Sequence, residues 1–215
     1  MNGKYEVIEQ GKAILLTLLS LVASISIALF IVINISPLFV TVPKHLLGLS
    51  HQTILSDYSR IITYLQFPGN HLLELKYIPI TRSAVNHFKD VKRLILLNEL
   101  LIFITGPSLV YLLKIQKRQN QLWRLILPFQ MLFILLIFGG FVGLTNFNSC
   151  FIKFHYLVFS NMDWVFNPTT NPVIQLMPES FFELLFGLWF IIVLVILLLI
   201  WGWIKLTLSI FFNKS

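Results

Sequence analysis

Charge is what this chain has least of. Lys, Arg, Asp and Glu make up 12% of its 215 residues, against roughly 25% in soluble globular domains, which excludes an ordinary water-facing surface. Cysteine occurs once, as Cys150, so no intramolecular disulfide can form, and no base is spaced to activate this thiol. The sequence has no GxSxG, no HExxH, no CxxC and no glycine-rich loop that could hold phosphates. No Ser or Cys therefore stands in a recognisable nucleophile motif. The net charge is +7, but the basic residues are scattered among loops rather than gathered on one face, which argues against a nucleic-acid partner.

Apolar sequence fills the chain instead, at 57% of all residues. Four runs, 13–36, 94–115, 124–146 and 181–212, reach the ~20 residues that cross a bilayer. The first is too long for a cleaved leader and no small-x-small site follows it, so it is expected to be a retained span. The expected fold is all-α, a single integral membrane domain over 1–215 with four transmembrane helices. Segments 37–93 and 147–180 would form a small extracytoplasmic cap of mixed short strands and helices. Within the first segment, PLFVTVP (37–43) and LLELKYIPI (72–80) read as strands. YSRIITYLQF (58–67) has helical apolar spacing, and Thr81 or Ser83 can cap a helix that runs into the second span. Pro107 predicts a kink in that span. Residues 181–212 would extend ~48 Å as a helix, longer than the hydrocarbon core, so tilt or an interfacial tail from Lys205 is expected, with Trp201 and Trp203 in the aromatic belt.

Basic residues set the orientation. The link 114–124 packs in Lys114, Lys117, Arg118 and Arg124, and the chain ends add Lys4, Lys12, Lys205 and Lys214. The other segments hold as many, spread over a far greater length. Density therefore places both termini in the cytoplasm. His45, His51, His71, His87 and His155 then all fall on the opposite side of the membrane.

The most unusual stretch is 145–183. It holds His155 among Phe151, Phe154, Tyr156 and Phe159, then Trp164, two Asn-Pro steps and Pro178-Glu179 opening the last span. An interfacial aromatic belt explains the rings but gives the imidazole no task. In such a setting a histidine is a candidate general acid or base. His87 and Asp90, three apart, fall on one helix face, where the carboxylate could hold a ring nitrogen. Asp163, Glu179, Glu183, Glu99 and Asn98 suggest a polar pocket among the outer helix ends. For Glu179, complementing the positive end of the helix is an equal reading. No histidine pair has a metal-ligand spacing, so no metal and no cofactor is expected.

The helix YSRIITYL (58–65), NHFKDVKRL (86–94) and the signature FNSCFIKFHYLVFSNMDWVFNP…NPVIQLMPESFF (147–182) resemble the Lit family, the lipoprotein intramolecular transacylases of low-GC Gram-positive bacteria. The resemblance covers nearly the whole chain. At Asn171-Pro172 the chain departs from it, since the family more often has an acidic residue there.

The resemblance implies an acyltransferase of the bacterial cytoplasmic membrane, working at the outer face on a diacylated lipoprotein among membrane lipids. It moves the acyl chain from the middle (sn-2) glycerol oxygen to the α-amino group of the lipoprotein's own N-terminal cysteine, giving an N-acyl lyso-lipoprotein. The implied catalytic pair matches His87 and His155. Supporting or orienting candidates are Asp90, Glu179, Asn98, Asn146 and Asn148, the three asparagines as donors to the transient oxyanion. Phe154, Tyr156, Trp164, Tyr58 and Tyr64 are candidate substrate contacts. Two alternatives stay open: an extracytoplasmic metal-binding or stress-sensing membrane protein, and a structural or partner-binding membrane subunit.

Overall fold

The structure, a computed structural model, describes residues 2–40, 48–69 and 71–212. The described residues contain six α-helices joined by short 3-10 turns and irregular connectors: α1 Asn2–Ile35, α2 His51–Gln66, α3 Arg82–Arg118, α4 Ile126–Thr145, α5 Phe147–Val158 and α6 Glu179–Phe212. Four stretches are long and apolar enough to cross a membrane, Gly3–Phe39, Arg82–Arg118, Leu122–Thr145 and Glu179–Phe211. Large apolar side chains on them stand open, such as Phe103, Phe138, Phe141 and Leu199. Patches of that kind on a helix make sense against lipid rather than water.

The chain divides into two compact units. One comprises Met1–Leu29, Leu100–Val142 and Trp189–Ser215. Its core joins Leu16, Leu109, Leu125, Phe129, Leu197 and Ile204. In α1, Ala13, Ala23 and Ala28 are buried with Thr17, Ser20 and Ser24, whose hydroxyls donate to carbonyls one turn back at 2.7–3.0 Å. Small side chains with internally satisfied hydroxyls let helices approach closely in lipid. Gly140 marks another close approach, where a Cβ would meet Phe190 Cζ at 2.2 Å. Arg124, nearly buried, donates to both carboxylate oxygens of Glu6 at 2.8 and 3.1 Å. Helix α6 continues unbroken past Lys205, so no tail turns aside there. Lys205 Nζ lies 4.5 Å over the Trp201 ring, and Lys117 Nζ 5.7 Å over Trp203. Helix α3 likewise runs on through Pro107.

The other unit comprises Phe30–Glu99 and Gly143–Leu188. Its core is built on α2, whose Ile54, Tyr58, Ile61 and Leu65 recur at helical spacing and pack with Ile78, Ala84, Phe88, Val173, Leu176 and Phe181. Ser50 caps α2 by accepting from Thr53 N at 3.2 Å. Thr81 caps α3 by accepting from Ala84 N at 3.3 Å, and its own hydroxyl donates to Asn171 Oδ1.

Among the described residues this unit contains no strand. Residues 37–39 lie in the 3-10 turn Ser36–Phe39, while 41–43 lie outside the described residues. Residues 72–80 form an irregular connector. Its backbone finds a side chain rather than a neighbouring strand. Asp57, fully buried, accepts from Lys76 N at 2.8 Å, Tyr77 N at 2.8 Å and Ile78 N at 2.9 Å. One carboxylate thus takes up the donors that a ladder would otherwise have used.

Candidate active site

Residues 147–158 form a helix within the long aromatic segment. Phe147, Phe151 and His155 recur every four residues along α5, with Phe159 closing the next turn, and this spacing puts them on one face. The Phe147 and Phe151 ring centroids lie 5.6 Å apart, Phe151 and His155 4.3 Å, and His155 and Phe159 5.5 Å. The face that looks like an aromatic belt in sequence is the inner stripe of a short helix.

His87 comes from the first turns of α3, which Thr81 starts. Its ring centroid lies 6.0 Å from that of His155, with the planes 32° apart. Phe159 packs edge-on against His87 at 4.9 Å and Phe166 at 5.5 Å. Trp164 lies 4.9 Å from His155, and Phe154 meets it edge-on at 5.7 Å. Two imidazoles, exposed by only 8% and 9%, therefore share a box of aromatic walls.

His155 has a defined tautomer. Its Nδ1 lies 2.7 Å from Phe151 O, and a carbonyl can only accept, so Nδ1 carries the proton and Nε2 keeps its lone pair. His87 Nδ1 is buried without a hydrogen-bond partner among the described residues.

Burial pulls the His155 pKa below its ordinary 6.5, and the bond to Phe151 O opposes this only in part. The neutral ring therefore favours the folded state. That contribution is complete above pH 6.5 and is lost as pH falls from 6.5 towards the lower folded value. Titration of 15N-labelled imidazoles in detergent, with the resonance assigned by His155→Ala, is expected to give a midpoint for His155 below 6.5. A midpoint at or above that value would contradict the burial.

Other predicted residues fall in varied places. Asp90 does not hold His87. It accepts from Arg93 Nη1 at 3.1 Å and from Asn161 Nδ2 at 2.9 Å, tying α3 to the connector after α5. Glu179 accepts from Asn148 Nδ2 at 2.8 Å rather than from a histidine. Asn146 Nδ2 donates to Thr145 Oγ1 at 3.0 Å. Asn98 is buried within α3. Tyr58 and Tyr64 belong to the core of α2. The Tyr58 hydroxyl donates to Ser36 Oγ at 2.7 Å, and burial pushes its pKa up to about 12. Lys92 Nζ lies 4.4 Å over the Tyr64 ring and donates to Phe67 O at 2.6 Å. Tyr156 packs edge-on against Trp164 at 5.1 Å. Cys150 is exposed.

Three side chains of the site were not singled out from sequence. Phe159 appeared only as part of the aromatic run, and its four-residue step from His155 was the usable signal. Phe166 and Asn161 lie in the irregular connector, where no periodicity marks them.

Among the described residues, no three His, Cys, Asp or Glu side chains come together as a metal site. That leaves the metal-sensing alternative without a ligand set among them. His51 and His71 are exposed, and His45 lies outside the described residues.

The sequence model of the family described as lipoprotein intramolecular transacylase Lit matches residues 11–182, the stretch that carries both histidines and the walls around them. The chain belongs to the Lit family. It is accordingly a membrane-integral acyltransferase, a lipoprotein intramolecular transacylase. No curated protein matches its sequence. The fold is similar to the in meso structure of Lit from Bacillus cereus, with a TM-score of 0.76 and 24% identity over 96% of this chain and 98% of that one. Structures of the same Bacillus cereus Lit with a histidine-to-arginine and a histidine-to-alanine mutation give TM-scores of 0.79 and 0.78 at 22% identity. Each covers 100% of this chain, with 98% and 100% of theirs aligned. This Lit chain thus shares its fold with proteins that share under a quarter of its residues.

Proposed function

We propose that this Lit chain moves the sn-2 acyl chain of a diacylglyceryl-cysteine to the α-amino group of the same cysteine, with His87 and His155 handling the protons. The observation that carries the reading is the 6.0 Å pairing of the two imidazoles inside one aromatic box. The substrate brings both nucleophile and acyl donor. Holding the amine against the ester can supply several kcal/mol of the barrier by orientation alone.

Proton balance sets how many transfers the pair must make. The α-ammonium, with a pKa of about 8, must lose two protons to become an amide. His155 Nε2, with its lone pair free, takes the first. The amine then attacks the ester carbonyl and forms the C–N bond. His87 takes the second proton from nitrogen and passes it to the glycerol oxygen as the C–O bond breaks. One proton ends on the new hydroxyl and one leaves to solvent. Both rings start neutral, in keeping with a site so little exposed to water. The lead test is mass spectrometry of lipoprotein N-termini from a host expressing this chain. Diacylated N-termini should become N-acyl lyso forms of the same total acyl content. Unchanged diacyl N-termini would overturn the reading.

The reading places the site at the outer face of the bacterial cytoplasmic membrane, where a lipoprotein's anchor lies, with 1–215 acting as one membrane domain. The dense basic link 114–124 supports this orientation. Alkaline phosphatase fused after Ser215, which is active only outside the cytoplasm, is expected to be inactive. A fully active fusion would put the histidine pair on the wrong side for this substrate.

A further inference from the structure

Acyl transfer places negative charge on the ester carbonyl oxygen in the tetrahedral intermediate, and a dry site must meet it with a positioned donor. The asparagine amides nearest in sequence are engaged: Asn148 Nδ2 with Glu179, Asn146 Nδ2 with Thr145, and Asn161 Nδ2 with Asp90. Trp164 differs. Its ring lies 4.9 Å from His155, and its Nε1 is buried with no hydrogen-bond partner among the described residues. An indole nitrogen can only donate. Buried donors nearly always find an acceptor, so an orphan beside a reacting group calls for a partner that arrives from elsewhere. Tyr156 stands edge-on over the indole and is 60% exposed, so the cover on this side is a surface side chain that a lipid substrate can displace.

We infer that Trp164 is a catalytic residue of this Lit chain, its indole N–H donating to the carbonyl oxygen as that oxygen becomes an oxyanion. The inference rests on the acid–base reading above and adds the third group that the reaction needs. His155 and Trp164 then act from one wall of the box, one on the amine and one on the carbonyl.

The test replaces Trp164 with β-(3-benzothienyl)alanine, which keeps the fused-ring shape and puts sulfur where the N–H was. Its kcat is expected to fall roughly 100- to 1,000-fold, as for loss of one oxyanion donor, with KM and melting temperature close to the parent. Trp164→Phe should lose at least as much kcat. A benzothienyl enzyme within about threefold of the parent kcat would overturn the inference even if Trp164→Phe were inactive, because the ring's packing alone would then explain Trp164. His87→Ala and His155→Ala run beside these variants. If they lose activity while the benzothienyl enzyme keeps it, only the oxyanion assignment falls. If they keep full activity, the acid–base reading fails and this inference with it.

Discussion

Replacing His87 or His155 by alanine is expected to slow acyl transfer roughly 100-fold or more in each case, the usual scale for a general acid–base group. The expectation rests on chemistry before geometry. An acyl shift from oxygen to nitrogen strips protons from the nitrogen and returns one to oxygen, and imidazole is the side chain that titrates near neutrality without a large shift. The geometry then narrows the choice. His87 and His155 face one another at 6.0 Å, whereas His51 and His71 are exposed and join no described ring contact. The double variant should be little slower than either single one, because groups that work as a unit do not contribute independently. His51→Ala and His71→Ala should stay within a few-fold of the parent. The measurement is conversion of a diacylated lipoprotein to its N-acyl lyso form in membranes with matched expression. Full activity in either His87→Ala or His155→Ala would remove that residue from the reaction.

Asp57→Ala is expected to cost about 3 kcal/mol or more of stability, because each buried donor left without a partner costs about 1–3 kcal/mol and Asp57 serves three. Water can offset part of this at Lys76 and Tyr77, where the backbone is less enclosed, but not at buried Ile78. Arg60 Nε lies 3.6 Å from the same carboxylate and would lose its partner too. Asp57→Asn keeps one carbonyl acceptor of two and should fall between. The connector that Asp57 holds leads directly into Thr81 and α3, which carries His87, so activity should fall with folding rather than ahead of it. Thermal melts in detergent, paired with turnover, check this. An Asp57→Ala protein that melts with the parent would mean that the three backbone groups are satisfied without it.

These two outcomes probe parts of the chain that were unequally visible beforehand. The spans were legible because lipid demands long apolar runs and nothing in the chain interrupts them: helix α6 and the run 181–212 nearly coincide. The histidine pair was legible from the signature around His155 and from the position of His87 just before a span. The connector 72–80 was not. Leu73 and Ile78 are buried, and the weak apolar alternation of LLELKYIPI (72–80) resembles a strand. What decides its backbone is a single carboxylate 19 to 21 residues away, and local pattern carries no such information. Asp90 shows the same limit from the other side. Its three-residue spacing from His87 permitted a contact, but Asn161, 71 residues on, and Arg93 are its partners. Helix α5 was open to inspection and still missed, because its phenylalanines read equally well as an interfacial belt until their four-residue step is set against His155.

The bond from His155 Nδ1 to Phe151 O crosses one turn of α5. Winding and reactivity are therefore a single event: uncoil that turn and the ring can carry its proton on either nitrogen, so Nε2 ceases to be a dedicated acceptor. A helix of 12 residues is marginal on its own in water. It is held by the rings it lays against its neighbours, with Phe147 stacked near Phe186 and Phe151 near Phe182. If His155 is the base, as proposed, docking of aromatic side chains arms it, and an agent that loosens those rings would disarm the enzyme without touching a histidine.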